Sequence, residues 1–167
     1  MKQVPLDRYS VAWFKLAECV SRGEKERALG VYRLLSHSID DQAFKYQLEG
    51  DLLLSFKDTQ QAAEKYLQSI QSYKQTGRLF EMAALYGHLI TIQPNKHEHH
   101  VHMVTIYHEL KLEAKVFSYL ESALDLLVQE SNPMALSQFL STIKILSETY
   151  HEYACEYMEL KEDDHKK

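Results

Sequence analysis

The chain has 167 residues, of which 45% are hydrophobic and 26% are charged, so it is long enough and apolar enough to fold around a core. Its 5 glycines and 3 prolines are too few for the many turns of a β-sandwich or β-barrel and favour long helices. The net charge of −5 opposes general binding to nucleic acids or anionic lipid, so we predict no nucleic-acid partner. No apolar run reaches the ~18 residues of a membrane span, so we also predict no membrane insertion.

The cysteines and the first residues predict the compartment. Cys19 and Cys155 stand far apart and outside any CxxC motif. Such thiols are typical of a reducing compartment. The first residues also lack the apolar stretch of a secretion signal. The sequence therefore predicts a cytoplasmic protein.

Apolar residues recur at intervals of three and four along almost the whole chain, which is the spacing of an amphipathic helix. N-terminal caps are predicted at Ser38, Asp58, Asn95 and Asn132, while Gly23 and Gly77 mark breaks between helices. Helices are predicted at residues 8–22, 24–37, 41–56, 58–75, 78–92, 96–110, 112–129 and 134–160. The short connections between them predict that each helix runs antiparallel to the next.

The pattern repeats every 34 residues. Ala28 and Ala62 are separated by this interval. Longer columns keep the size of the side chain; one of them consists of Leu52, Tyr86 and Leu120. A constant period of this length predicts stacked helix pairs, with small residues at close approaches and large ones in the gaps.

These residues resemble the tetratricopeptide repeat, in which Leu-Gly/Ala, Gly, Ala and an aromatic residue recur at fixed intervals. The matching residues are Leu16, Ala17, Gly23, Ala28 and Tyr32, then Leu48, Gly50, Ala62 and Tyr66, and then Gly77, Tyr86 and Pro94. The resemblance implies an all-α solenoid of antiparallel hairpins, with about seven or eight helices in total. It assigns residues 1–132 to the repeat domain.

The sequence departs from the family pattern in three respects. The positions where the family has small residues are often Ser or Leu. Lys111 stands where the family has a glycine at the turn. The phase also shifts, because repeats start near residues 9 and 43 in the first half but near 63 and 97 in the second. The sequence therefore defines the 34-residue period better than it defines which helices pair into hairpins.

In this family the first helix of each hairpin lines a concave groove that binds extended or helical peptides. By resemblance, the groove residues are Trp13, Phe44, Gln47, Asp51, Leu54, Arg78, Glu81 and His88. Trp13 has a second interpretation, as a residue that packs between helices. The resemblance implies a non-enzymatic protein–protein interaction module, either an adaptor or scaffold or a small chaperone, that binds a peptide or a helix.

Chaperone-type members of the family clamp a C-terminal carboxylate with Lys, Asn and Arg. The corresponding positions here hold Trp13, Ala17, Gln47 and Asp51, so no such clamp is predicted. The groove is instead mixed apolar and polar. That mixture favours an amphipathic helix or extended segment over an acidic tail.

The last predicted helix carries a heptad stripe. Its apolar positions are Leu136, Phe139, Ile143, Leu146, Tyr150, Tyr153, Tyr157 and Leu160. The pattern predicts one long helix over residues 133–160 that covers the end of the stack and then either protrudes, folds back or frays. A second interpretation is self-association or partner docking through Tyr150, Tyr153 and Tyr157, which would make a structural homodimer. The mixed-charge residues 161–167 are predicted to be disordered.

Five histidines lie between His97 and His108. His97 and His100 share a helical face and are the candidate metal ligands, but the nearby acids are only Glu98 and Glu109. No HExxH motif or glycine-rich phosphate loop occurs. We therefore predict no enzyme activity, no resident metal and no cofactor. The alternative function is a metal- or pH-responsive sensor centred on these histidines.

Overall fold

The structure, a computed structural model, describes the backbone of residues 8–130 and 132–164 and the side chains of residues 11–130 and 132–161. Within these residues the chain forms nine α-helices and no strand, which confirms the predicted all-α class. They are α1 (Arg8–Ser21), α2 (Lys25–Ser36), α3 (Gln42–Ser55), α4 (Thr59–Gln75), α5 (Leu79–Ile92), α6 (His97–Glu109), α7 (Glu113–Gln129), α8 (Pro133–Leu146) and α9 (Glu148–Asp164). None of these helices combines the length and the apolar character that crossing a membrane requires.

Four of the turns between helices share one backbone geometry. Gly23, Lys57, Gly77 and Lys111 all adopt left-handed φ angles, between 58° and 71°. In each case the next residue donates its backbone N–H to the carbonyl oxygen five positions earlier, at 2.9–3.1 Å. This arrangement satisfies carbonyls at the end of a helix. Lys111, which departs from the family's glycine, therefore has the same conformation as the glycine turns.

The positions of these turns account for the shift of phase in the sequence. Gly23 and Lys57 are 34 residues apart, and so are Gly77 and Lys111. Only 20 residues separate Lys57 from Gly77, however, and they contain the single helix α4. The same turn thus precedes α4 and follows it, so the repeat changes register by one helix.

The chain forms two compact units, of which the first ends at Glu81 and the second begins at Met82. In the first unit, α1 packs against α2, α3 packs against α4, and α2 contacts α3. A buried cluster joins α1, α2 and α3 and consists of Leu16, Cys19, Ala28, Tyr32, Leu35 and Leu52. The Tyr32 hydroxyl donates to the carbonyl of Lys45 at 2.8 Å, which fixes α2 against α3.

The second unit has its own core, built by α6, α7, α8 and α9. Its fully buried side chains include Val104, Val116, Leu120, Leu124 and Leu127, with Phe139, Ile143, Tyr150 and Ala154 from the last two helices. The tightest packing joins α6 to α7. Helices α8 and α9 both contact α7, so they complete this core.

The single long helix predicted over residues 133–160 is wrong, because the backbone breaks at Ser147. Ser147 is extended, with φ −165° and ψ 129°, and ends α8. Its carbonyl then accepts the N–H of His151, in the first turn of α9. Helix α9 therefore packs back on α7 rather than protruding. It ends at Asp164, so the first four residues of the predicted disordered tail are helical, and residues 165–167 lie outside the described residues.

Two of the four predicted helix caps are confirmed. Asp58 accepts the N–H of Gln61 at 3.2 Å, and Asn132 accepts that of Ala135 at 3.1 Å. The prediction at Asn95 is wrong, because Lys96 occupies the N-cap of α6 and its side chain makes no capping bond. The prediction at Ser38 is also wrong, because Asp41 is the N-cap of α3. A serine, asparagine or aspartate near a helix start fixes the boundary only to within a residue or two.

Candidate functional site

Helix α3 carries four of the predicted groove residues on one side. Phe44, Gln47, Asp51 and Leu54 follow each other at intervals of three and four, so they form one stripe, here called the α3 face. Phe44 and Asp51 are exposed, whereas Gln47 and Leu54 are half-buried. Phe44 is 40% exposed, so its ring can be reached by a partner.

Two tyrosines of α4 hold the polar side chains of the α3 face. The Tyr66 hydroxyl donates to Asp51 Oδ1 at 2.7 Å, and the Tyr73 hydroxyl donates to Gln47 Oε1 at 2.8 Å. Both rings are buried, and burial raises the pKa of both hydroxyls, so they remain protonated donors. Gln47 and Asp51 are therefore held in fixed orientations.

Gly50 brings α3 and α4 close together at this point. A β-carbon on Gly50 would lie 2.7 Å from the Tyr66 ring and 3.3 Å from the carbonyl oxygen of Ala62. Ser69, one turn further along α4, is buried and donates to the carbonyl of Ala43 at 2.7 Å. These contacts run in opposite directions along the two helices, so α3 and α4 are antiparallel and their seam positions the α3 face.

A charged group, here called the Arg78 cluster, extends from the N-terminus of α3. It consists of Asp41, Tyr73, Arg78 and Glu81. The Arg78 guanidinium donates to the carboxylates of Asp41 and of Glu81, and it lies 4.4 Å above the Tyr73 ring. Asp41 also accepts the backbone N–H of Phe44 at 3.1 Å, which caps α3. The Phe44 N–H and Arg78 lower the pKa of Asp41, and Arg78 lowers that of Glu81.

Trp13 and His88 lie on helices other than α3. Trp13 lies on α1 and is 39% exposed, about as much as Phe44. His88 lies on α5 within the second unit and is exposed. The six other predicted groove residues are joined through α3, through the bonds of Asp41 and through the bond between Arg78 and Glu81.

The histidines of α6 face different surroundings. His99 Nε2 lies 3.0 Å from Gln93 Oε1. The His102 ring stacks on Tyr86 with centroids 4.8 Å apart. His100 is buried beside Tyr119, and among the described residues its Nδ1 has no hydrogen-bond partner. Burial lowers the pKa of both His99 and His100, so both stay neutral near pH 7.

The candidate metal ligands are not supported by a third ligand. His97 Nδ1 lies 3.5 Å from a carboxylate oxygen of Glu130 and 3.9 Å from one of Glu98. His100 lies in the packed interface with α7. Among the side chains of residues 11–130 and 132–161, no three His, Cys, Asp or Glu are grouped as metal ligands.

The tyrosines predicted as an association surface are used within the second unit. Tyr150 is buried and packs edge-on against Phe117, with ring centroids 5.5 Å apart. The Tyr153 hydroxyl donates to Glu121, which raises the pKa of Tyr153 to about 12. The Tyr157 hydroxyl donates to the carboxylate of Asp125 at 3.2 Å. All three side chains therefore face other helices of their own chain.

The residues that the sequence analysis missed are the ones that orient the site. Tyr66 is predicted only as a residue of the repeat pattern, and no role is predicted for Tyr73 or Asp41. A usable signal exists, because Tyr66 and Tyr73 are seven residues apart and so share a helical face. That face meets α3, where Gln47 and Asp51 also share a side.

No known family model matches the sequence, and no curated protein is similar enough to count as a relative. The tetratricopeptide resemblance therefore remains a prediction from residue spacing. The functional proposal depends on the geometry of the α3 face and the Arg78 cluster.

Proposed function

We propose that this chain is a non-enzymatic protein-interaction module, with a tetratricopeptide-like solenoid, that binds a peptide or helix along the α3 face. The observation that carries the proposal is the exposed ring of Phe44 beside polar groups that α4 holds in place. Adaptor or scaffold function follows directly from such binding, and a small chaperone would use the same surface. The recurrence of one turn geometry at 34-residue intervals supports the solenoid.

The fixed polar groups favour binding because their conformational entropy is already restricted. A ligand that contacts Gln47 and Asp51 does not have to order them, since Tyr73 and Tyr66 already do so. Phe44 adds an apolar anchor, and aromatic anchors commonly dominate the free energy of protein recognition. The α3 face therefore combines an anchor with preorganised hydrogen-bonding groups.

The chemistry of the face indicates the kind of segment it binds. Phe44 and Leu54 offer apolar contact, while the carboxylate of Asp51 accepts hydrogen bonds from N–H groups or cations. An amphipathic helix with apolar residues flanked by Lys, Arg or amide side chains fits this combination. A cytoplasmic setting suits the two free thiols, Cys19 and Cys155.

The test starts from a phage-displayed library of random peptides of about 16 residues, which as helices would span the length of α3. Individual selected peptides are titrated into the isotopically labelled full chain. We expect saturable changes in the amide resonances of Phe44, Gln47 and Asp51. Phe44→Ser should weaken binding about tenfold or more, because it removes the anchor.

Two further variants sharpen the result. Tyr73→Phe removes the hydroxyl that orients Gln47 and should weaken binding about threefold while the helix remains folded. Leu34→Ser removes an equally apolar side chain that is 73% exposed on α2, and we expect it to change nothing. Equal binding by wild type and Phe44→Ser, resonance changes confined to other helices, or a selection that enriches no peptide would each contradict the proposal.

A further inference from the structure

A cavity of about 240 Å³ lies between α7 and α9 in the second unit. One part of its wall is apolar and is formed by Leu124, Val128 and Met158. The other part is polar and is formed by Asp125, Tyr157 and Lys161. The cavity therefore offers a hydrocarbon surface next to an ionisable group, the combination typical of sites for amphiphilic ligands.

The polar end of the cavity is arranged to receive a cation. The Lys161 ammonium lies 3.2 Å from Asp125 Oδ1 and 5.1 Å from the centroid of the Tyr157 ring. A carboxylate and the face of a tyrosine both attract positive charge. Tyr157 also donates its hydroxyl to both carboxylate oxygens of Asp125, at 3.2 and 3.3 Å, which holds the carboxylate in place.

The side chain of Lys161 is itself an alkyl chain that ends in an ammonium group. It therefore indicates which kind of ligand fits the cavity. Its side chain is 47% exposed, and that of Asp125 is 41% exposed. Ion pairs this open to solvent contribute little to stability. Lys161 can therefore leave the site at small cost when a stronger ligand enters.

We propose that this cavity is a binding site for a primary alkylammonium group, whose hydrocarbon chain lies against Leu124, Val128 and Met158 and whose ammonium replaces that of Lys161 on Asp125 and Tyr157. Lys161 acts as an internal competitor that occupies the site in the free protein. The site lies outside the α3 face, so it does not depend on the function proposed there.

The test uses hexylammonium, titrated into the isotopically labelled full chain and followed by NMR. We expect saturable changes at Val128, Tyr157 and Met158, with a dissociation constant on the order of 1 mM, as is usual for so small a ligand. Hexanol has the same hydrocarbon chain without the charge and should bind at least about tenfold more weakly. A blocked lysine peptide, titrated separately, shows whether a free amine or a protein side chain is the better source of the group.

The variants distinguish competition from structural damage. Lys161→Met keeps the apolar stem and removes the competing ammonium, so it should tighten hexylammonium binding about twofold to fivefold. Asp125→Asn should weaken it about tenfold, because a charge-assisted contact is lost. Lys144→Met is the matched control, since Lys144 pairs with Glu148 at 3.6 Å outside the cavity, and it should change nothing.

Several results would overturn the proposal. Hexanol could bind as well as hexylammonium, which would make the cavity merely apolar. Lys161→Met could leave hexylammonium binding unchanged, which would remove the competition on which the proposal depends. The third such result is that neither charged probe shifts any cavity resonance in wild type or in Lys161→Met.

Discussion

Gly50 shows how one residue sets the distance between two helices. The Tyr66 ring is fully buried and already fills the space that a β-carbon on Gly50 would need. We expect Gly50→Ala to lower the free energy of unfolding by about 1–3 kcal/mol, because a packed ring and a helix backbone must separate. Urea denaturation followed by circular dichroism measures this change.

The control for this substitution is another helical glycine. Gly30 has no atom within 4 Å of its would-be β-carbon. Alanine favours the helix over glycine, so Gly30→Ala should raise the free energy of unfolding by up to about 1 kcal/mol. If both substitutions changed stability in the same direction, the close contact between Gly50 and Tyr66 would be refuted.

At the residue scale, sequence reasoning could predict some conformations and not others. Gly23 and Gly77 were identified as breaks because glycine tolerates left-handed φ angles. Lys57 and Lys111 adopt the same angles, although each costs about 1 kcal/mol or more in a residue with a side chain. The hydrogen bonds at the end of the helix offset this cost. These bonds cannot be predicted from the presence of a lysine in the sequence.

At the scale of the elements, the break between α8 and α9 could not be read from the apolar pattern. Ser147 is the single residue between the two helices, so the apolar residues continue at intervals of three and four across the break. A periodic pattern reports which side of a segment is apolar, but a helix that folds back has the same apolar side as one that continues. Contacts between α9 and α7, such as that of Tyr150 with Phe117, distinguish the two cases.

Those contacts predict the effect of removing the Tyr150 ring. Tyr150→Ala should lower the free energy of unfolding by about 3–5 kcal/mol, because the ring is 7% exposed and lies in the core of the second unit. Urea denaturation again measures the change. Leu160→Ala, at a 68% exposed position on the same helix, is the control and should alter stability by less than about 0.5 kcal/mol.

The same variant, measured by light scattering, distinguishes a packed helix from an association surface. If Tyr150 served to join two chains, Tyr150→Ala would lower the molar mass measured by light scattering and leave the fold of each chain intact. We expect instead that Tyr150→Ala lowers the free energy of unfolding and leaves the molar mass unchanged.

At the scale of the whole molecule, the buried histidines make stability depend on pH. The unfolded chain binds a proton on each histidine as the pH falls through about 6.5. His99 and His100 bind it only at lower pH, since burial lowers their pKa in the folded state. The unfolded state then holds more protons, so the free energy of unfolding should fall by at most about 1.4 kcal/mol per histidine and pH unit below 6.5.

This loss can be measured by urea denaturation between about pH 7.5 and about pH 5.5, a range in which histidines titrate. Asp41 and Glu81 have lowered pKa values, so their contribution to the free energy of unfolding is lost only below about pH 4. It therefore does not overlap with the effect of the histidines. His100→Phe should flatten the pH dependence. His37→Phe, at an exposed position after α2, should leave it unchanged, and an equally steep slope in both variants would show that His100 is not held neutral.

The all-α class and the 34-residue spacing within each half of the chain were predictable because both depend on local spacing. The candidate site was predictable only in outline, since Gln47 and Asp51 could be placed on one face of α3 but not joined to Tyr73 and Tyr66. Such bonds depend on the distance between helices, which Gly50 sets. The division into two units at Glu81 likewise depends on contacts rather than on composition.

The recurring left-handed turns make part of this chain a transferable module. The segment 24–57 starts directly after one such turn residue, Gly23, and ends on the next, Lys57. A second copy inserted after Lys57 would meet Glu24 at a position equivalent to Asp58, whose N–H closes the preceding helix in the same way. Duplication of residues 24–57 would therefore place a turn residue and its N–H donor at every junction.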